Sequence, residues 1–178
     1  NGDGSFKAVQ TLATKDGVYA YNLEVADLDA DGKMDIFVGE NENYVSFYRG
    51  NGDGSFKALV TFETSSYNAT GMSFGDFNDD GNLDLAVSVR YGSGVSVLLG
   101  NGDGTMRAQV SYATGPQTFN VQAGDVNADG VLDLVSLEKS VSTVSVLIGN
   151  ADGSFKARVS YAIDADSRPL VLGDVNGD

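Results

Sequence analysis

Residues 75–89 read GDFNDDGNLDLAVSV, an acidic, glycine-containing turn that runs straight into an apolar stretch of β character. The same pattern opens at Asp27, Asp76, Asp125 and Asp174, with 49 residues between successive copies. A second landmark, Asn-Gly-Asp-Gly, starts at Asn1, Asn51 and Asn101 and returns as Asn150-Ala151-Asp152-Gly153. A fixed period of this size marks an array of one supersecondary unit, because each unit buries its apolar faces only against its neighbours.

Within one period, residues 21–27 alternate toward the acidic turn, and 34–40 (MDIFVGE) follow it as an apolar run. A short polar connection leads to 44–49 (YVSFYR), a glycine-rich turn at 50–54, and 56–63 (FKALVTFE). Four short strands per period, with no helical period to compete, predict an all-β fold: a β-propeller of four-stranded antiparallel blades. The chain holds about 3.6 repeats of ~49 residues, at approximately 1–20 (partial), 21–69, 70–118, 119–168 and 169–178 (partial), in one propeller segment spanning 1–178. A fraction of a blade cannot close a ring, so the expectation is a longer ring completed by other blades of the same chain or of another chain.

Composition narrows the chemistry. With 25 acidic against 11 basic residues the formal charge is −14, which repels nucleic acid and anionic membrane. The absence of histidine and cysteine removes the usual general base, zinc ligands and disulfides. No apolar stretch is long enough for a membrane span.

The chemistry lies in the acidic turns. Their nine residues are Asp27-Leu28-Asp29-Ala30-Asp31-Gly32-Lys33-Met34-Asp35, Asp76-Phe77-Asn78-Asp79-Asp80-Gly81-Asn82-Leu83-Asp84, and Asp125-Val126-Asn127-Ala128-Asp129-Gly130-Val131-Leu132-Asp133. A fourth begins Asp174-Val175-Asn176-Gly177-Asp178. Calcium takes six to eight hard oxygens. Side chains at positions one, three and five converge, glycine at six turns the chain, position seven (Lys33, Asn82, Val131) offers its carbonyl, and the position-nine carboxylate closes the shell. Three complete calcium sites and a truncated fourth are therefore expected, the last through Asp174, Asn176 and Asp178. The twelfth positions, Val38, Val87 and Ser136, rule out an EF-hand.

The pattern Gly-Asp-apolar-Asn-x-Asp-Gly-x-apolar-Asp-apolar, followed by Val95-Ser96-Val97-Leu98-Leu99-Gly100-Asn101-Gly102-Asp103-Gly104, resembles the FG-GAP/VCBS repeats of the integrin α-subunit propeller and of bacterial surface and secreted proteins. The resemblance implies one blade per repeat in a seven-bladed ring, calcium between first and second strands, an extracellular or cell-surface location, and ligand binding on the face opposite the calcium.

The copies differ in the connections to that opposite face, which carry Tyr19, Tyr67, Tyr91, Phe119, Arg90, Arg168, Glu40, Glu42 and Lys139 as exposed candidates. These suit an extracellular glycan or protein ligand and a noncatalytic, calcium-stabilised adhesion module. The alternatives are a propeller domain of an extracellular polysaccharide-degrading enzyme and a structural repeat of a surface filament. No leftover acid has an evident catalytic partner. Asn68-Ala69-Thr70 is a glycosylation sequon.

Overall fold

The computed structural model describes residues 9–14, 18–92, 94–164 and 170–173. They form twelve strands in three antiparallel sheets, each a four-stranded meander. The first blade contains β1 (Ala20–Ala26), β2 (Asp35–Glu40), β3 (Tyr44–Tyr48) and β4 (Val60–Glu63). The second contains β5 (Ala69–Gly75), β6 (Asp84–Val89), β7 (Gly94–Leu98) and β8 (Val110–Ala113). The third contains β9 (Thr118–Gly124), β10 (Asp133–Glu138), β11 (Thr143–Leu147) and β12 (Val159–Ala162). These are blades of a β-propeller, with the first strands β1, β5 and β9 side by side. Among the described residues no helix is long and apolar enough to cross a membrane.

The unbroken apolar run after each acidic turn follows from burial on both faces. All six residues of β6 are buried. Leu85, Val87 and Val89 join Phe37, Phe47, Phe62 and Met72 in the seam between blades one and two. Ala86 joins Phe77, Val97, Val121, Leu134 and Phe155 in the seam between blades two and three. Rings fix the packing: Phe37 lies 4.7 Å from Phe74 and 4.9 Å from Phe47, and Phe155 lies edge-on to both Phe77 and Tyr112.

Register makes the blades superimposable in sequence. Ala26 pairs with Asp35, Gly75 with Asp84 and Gly124 with Asp133, so Leu23, Met72 and Val121 occupy one position. Met72 and Val121 are 2% and 0% exposed, each pressed on the preceding blade, whereas Leu23 is 59% exposed. The outer face of blade one therefore lacks, among the described residues, the cover its counterparts have.

The fourth strands are shorter than the sequence suggests. Expected over 56–63, β4 begins at Val60, and Phe56 makes only an isolated bridge to Gly50. The Asn-Gly-Asp-Gly turn explains the gap. Asn51 N–H donates to Ser55 O and Lys57 N–H to Arg49 O, which closes a hairpin before the ladder resumes.

Candidate metal centre

In a four-stranded meander the first-to-second and third-to-fourth connections share one end of the blade. The acidic loops and glycine-rich hairpins therefore sit together, and the remaining connections form the opposite rim. Within each loop the first aspartate folds the turn around itself. Asp27 Oδ1 and Oδ2 accept the N–H groups of Asp31 (3.1 Å) and Gly32 (2.8 Å). Asp76 does the same for Asp80 and Gly81, and Asp125 for Asp129 and Gly130. The glycine at position six is left-handed in all three loops, with φ of +80°, +82° and +86°. Position four also adopts positive φ without glycine, at Ala30, Asp79 and Ala128. The same uncommon backbone in three copies shows that the loop, not one residue, dictates the bend.

The position-nine aspartates are fully buried. Asp84 Oδ2 accepts Phe77 N–H (2.7 Å) and Oδ1 accepts Gly100 N–H (2.8 Å). Asp35 holds Leu28 and Gly50 in the same way, and Asp133 holds Val126 and Gly149. One carboxylate thus ties the acidic loop to the entry of the hairpin. Each oxygen keeps a second lone pair, so the tie leaves capacity for a cation. Burial pushes the Asp84 carboxyl up, against the pull of the Gly100 and Phe77 amides and helped by Asp80 and Asp76.

Loop one gathers the most charge. Oxygens of Asp27, Asp29 and Asp35 lie within 4.8 Å of one another. Asp29 Oδ1 is buried without a hydrogen-bond partner. Three hard anionic oxygens, one of them unsatisfied, fit calcium. In loops two and three, Asn78 and Asn127 occupy position three and donate through Nδ2 to Asp80 and Asp129 (2.9 Å each), bringing less charge to the same frame. The position-five side chains accept the position-seven N–H groups of Lys33, Asn82 and Val131. Asp174, Asn176 and Asp178 lie outside the described residues.

Basic side chains complete this end, and two of them, Arg49 and Arg107, belong to residues that the sequence reading passed over. Lys33 pairs with Asp31 (2.8 Å), Arg49 with Asp29 (3.1 Å) and Arg107 with Asp80 (3.5 Å). The Lys33 ammonium, first through its hydrogen bond, holds the Asp31 carboxyl below its ordinary value. Asp80 is lowered chiefly by the Asn82 amide, and Asp125 by the Gly130 amide. A signal was present: Lys7, Lys57, Arg107 and Lys156 recur with the hairpins. The hairpins also reach between blades, since Gly153 N–H donates to Phe77 O (3.0 Å) and Arg49 Nη2 to Asp103 O (2.5 Å).

At the opposite rim, Tyr19, Tyr67 and Tyr91 are exposed, and Arg90, Phe119, Lys139 and Glu42 are half-buried. Glu40 corrects the expectation: it is fully buried, beside the Tyr44 hydroxyl, whose pKa rises through burial first and then through the Glu40 charge. It is the last residue of β2, where alternation places it with Ile36 and Val38 on the face opposite the seam residue Phe37. Glu138, at the same register position, is buried too and accepts the hydroxyls of Ser136 (2.6 Å), Ser145 (2.8 Å) and Thr143 (3.0 Å). The sequon residue Asn68 is only 6% exposed. Arg168 lies outside the described residues.

A family profile described as FG-GAP-like repeat matches residues 1–38, 27–87 and 76–136. Among solved structures, a chain of the Tc holotoxin pore of Photorhabdus luminescens, carrying the mutation TccC3-D651A, is similar at 18% identity and a TM-score of 0.46. That match covers 81% of the present chain and 7% of the toxin chain. The curated proteins contain no match.

Proposed function

Because the chain belongs to the FG-GAP-like repeat family, we propose that it is a calcium-stabilised, noncatalytic binding module of a secreted or cell-surface protein, recognising a glycan or protein through the rim opposite the acidic loops. The observation that carries this reading is the contrast between the ends. The loop end repeats one hydrogen-bonded frame three times, with each position-nine aspartate on two backbone amides. A group repeated in every blade serves the blade.

Bound calcium would supply positive charge among the loop carboxylates. In its absence Asp27, Asp29 and Asp35 repel one another. The residues that would hold it are those at positions one, three, five and nine, with the carbonyl of position seven. Since the ion bridges the end of one strand to the start of the next, binding adds to folding stability through linkage. The noncatalytic reading is supported by the fate of the buried acids at the other end: Glu138 is taken up by three hydroxyls, and Glu40 is closed from solvent. The exposure of Leu23 and Val25 supports cover by a further blade of this chain or another.

Melting in excess chelator and again in calcium tests the first half of the proposal. At one hundred times the dissociation constant one site contributes about 2.7 kcal/mol, so a fall of several degrees on chelation, reversed by calcium, is expected. An unchanged melt removes calcium from the account. Glycan- and protein-array binding, repeated with Tyr67→Ala and Tyr91→Ala, tests the rim.

A further inference from the structure

We infer that the recess between Arg90–Gly92 and Thr114–Gln117, where the rims of blades two and three meet, is a subsite for a carboxylated sugar of an acidic polysaccharide. The inference rests on the reading of the rim as the recognition edge and names the ligand class it takes.

The recess measures about 350 Å³, within the ordinary range for a small-molecule site. Arg90, Tyr91, Gly92, Thr114, Pro116 and Gln117 are among its lining residues. Its charge runs against that of the chain. Lys33, Arg49 and Arg107 are spent on loop aspartates, whereas Arg90 and Lys139 make no ion pair among the described residues. Instead the Arg90 guanidinium stands over the Tyr91 ring at 5.5 Å and the Lys139 ammonium over Phe119 at 5.8 Å. A guanidinium that stacks with its face keeps its N–H edge for a carboxylate.

Register shows that this charge is particular to these blades. Counting from the position-nine aspartates, Asn41, Arg90 and Lys139 occupy one position, and Glu42, Tyr91 and Ser140 the next. Blade one presents an amide and an acid where blade two presents a cation and a ring and blade three a second cation. Glu138 lies beneath Gly115, but its oxygens point to the Ser136, Thr143 and Ser145 hydroxyls and it is fully buried.

The walls are fixed before any ligand arrives. Lys139 N–H donates to Gln117 O (3.2 Å), Ser140 Oγ to Pro116 O (2.9 Å) and Arg90 N–H to Asn68 O (3.0 Å). Preorganised walls lower the entropy cost of binding. Those same bonds argue against a peptide that adds its backbone to a free strand edge, since the Pro116 and Gln117 carbonyls are taken. What remains is a ring that is 65% exposed, an amide and the Arg90 guanidinium. They fit the apolar face, the hydroxyls and the carboxylate of a uronic acid.

Calorimetric titration of tetragalacturonate into the intact chain in calcium buffer tests this, with its methyl ester and a polyglutamate peptide alongside. Expected are binding that weakens as salt rises, and a loss of about tenfold, or 1.4 kcal/mol, for Arg90→Ala and for the ester, with the melting temperature of the variant unchanged. Absence of binding, equal affinity for the ester, indifference to Arg90→Ala, or equally tight polyglutamate binding would each overturn the inference. A neutral glycan or protein lost on Tyr67→Ala but not on Arg90→Ala overturns it while leaving the rim reading intact. If no rim substitution alters binding of any array ligand, both fall.

Discussion

The two ends of each blade answer to different constraints. At the loop end, Asp35, Asp84 and Asp133 make the same pair of bonds to within a few tenths of an ångström. At the rim, the residue after each second strand is Asn41, Arg90 or Lys139. Its N–H donates to the carbonyl 22 residues earlier in every blade, but its side chain meets the Tyr19 N–H, the Tyr91 ring or the Phe119 ring. Repetition at the loop end reports what a blade needs in order to exist, and divergence at the rim reports what each blade is free to do. The boundary is not perfectly clean, because the rim holds one buried polar knot, around Glu138, that no other described blade reproduces.

Three measurements can break or sharpen that contrast. The largest effect is expected from Asp84→Ala, measured in chelator so that metal contributes nothing. It strands the buried Phe77 and Gly100 amides and costs about 2–6 kcal/mol in urea unfolding, from about 1–3 kcal/mol per orphaned group. A loss under about 0.5 kcal/mol would show that the position-nine carboxylate serves only as a ligand. Next comes Glu138→Gln, which gives three hydroxyls one acceptor oxygen in place of two. A cost of about 1–2 kcal/mol is expected, and a neutral outcome would return the whole rim to the variable class. The smallest effect concerns the hairpins. The Thr105 hydroxyl, ahead of its backbone amide, holds the Asp103 carboxyl below the usual range. Its folded pKa is depressed, so its contribution is present above the unfolded value of about 4 and is lost as pH falls through the folded one. The gap in melting temperature between the parent and Asp103→Asn should therefore close below pH 4. A constant gap at all pH values would mean that the charge of Asp103 plays no part.

Much of the fold was legible because one rule was written three times. A 49-residue period and apolar runs buried on both faces identify stacked blades, and β2, β6 and β10 fall where those runs predict. The loop acids were legible for the same reason. What escaped depended on partners distant in sequence. Nothing around Asp84 announces that the Gly100 amide, 16 residues away, will face its Oδ1. Glu40 reads as an exposed connection residue, yet it is the last residue of β2 and is fully buried. The pairing of Arg49 with Asp29 needs the fold before the two residues meet. Phe56, with its isolated bridge, shows a strand boundary set by turn closure rather than by apolar content.

The bond from Gly153 N–H to Phe77 O gives the array a direction. The hairpin of blade three braces the acidic loop of blade two, and Arg49 of blade one reaches forward to the hairpin of blade two. In the language of a one-dimensional lattice, each unit carries a nearest-neighbour coupling located at the end that holds its acidic loop. Loosening blade three would thus be felt first in the loop of blade two, and neighbouring loops would not unfold as independent units. A row of blades built this way behaves less like beads on a string than like a zip fastener, whose teeth close in order.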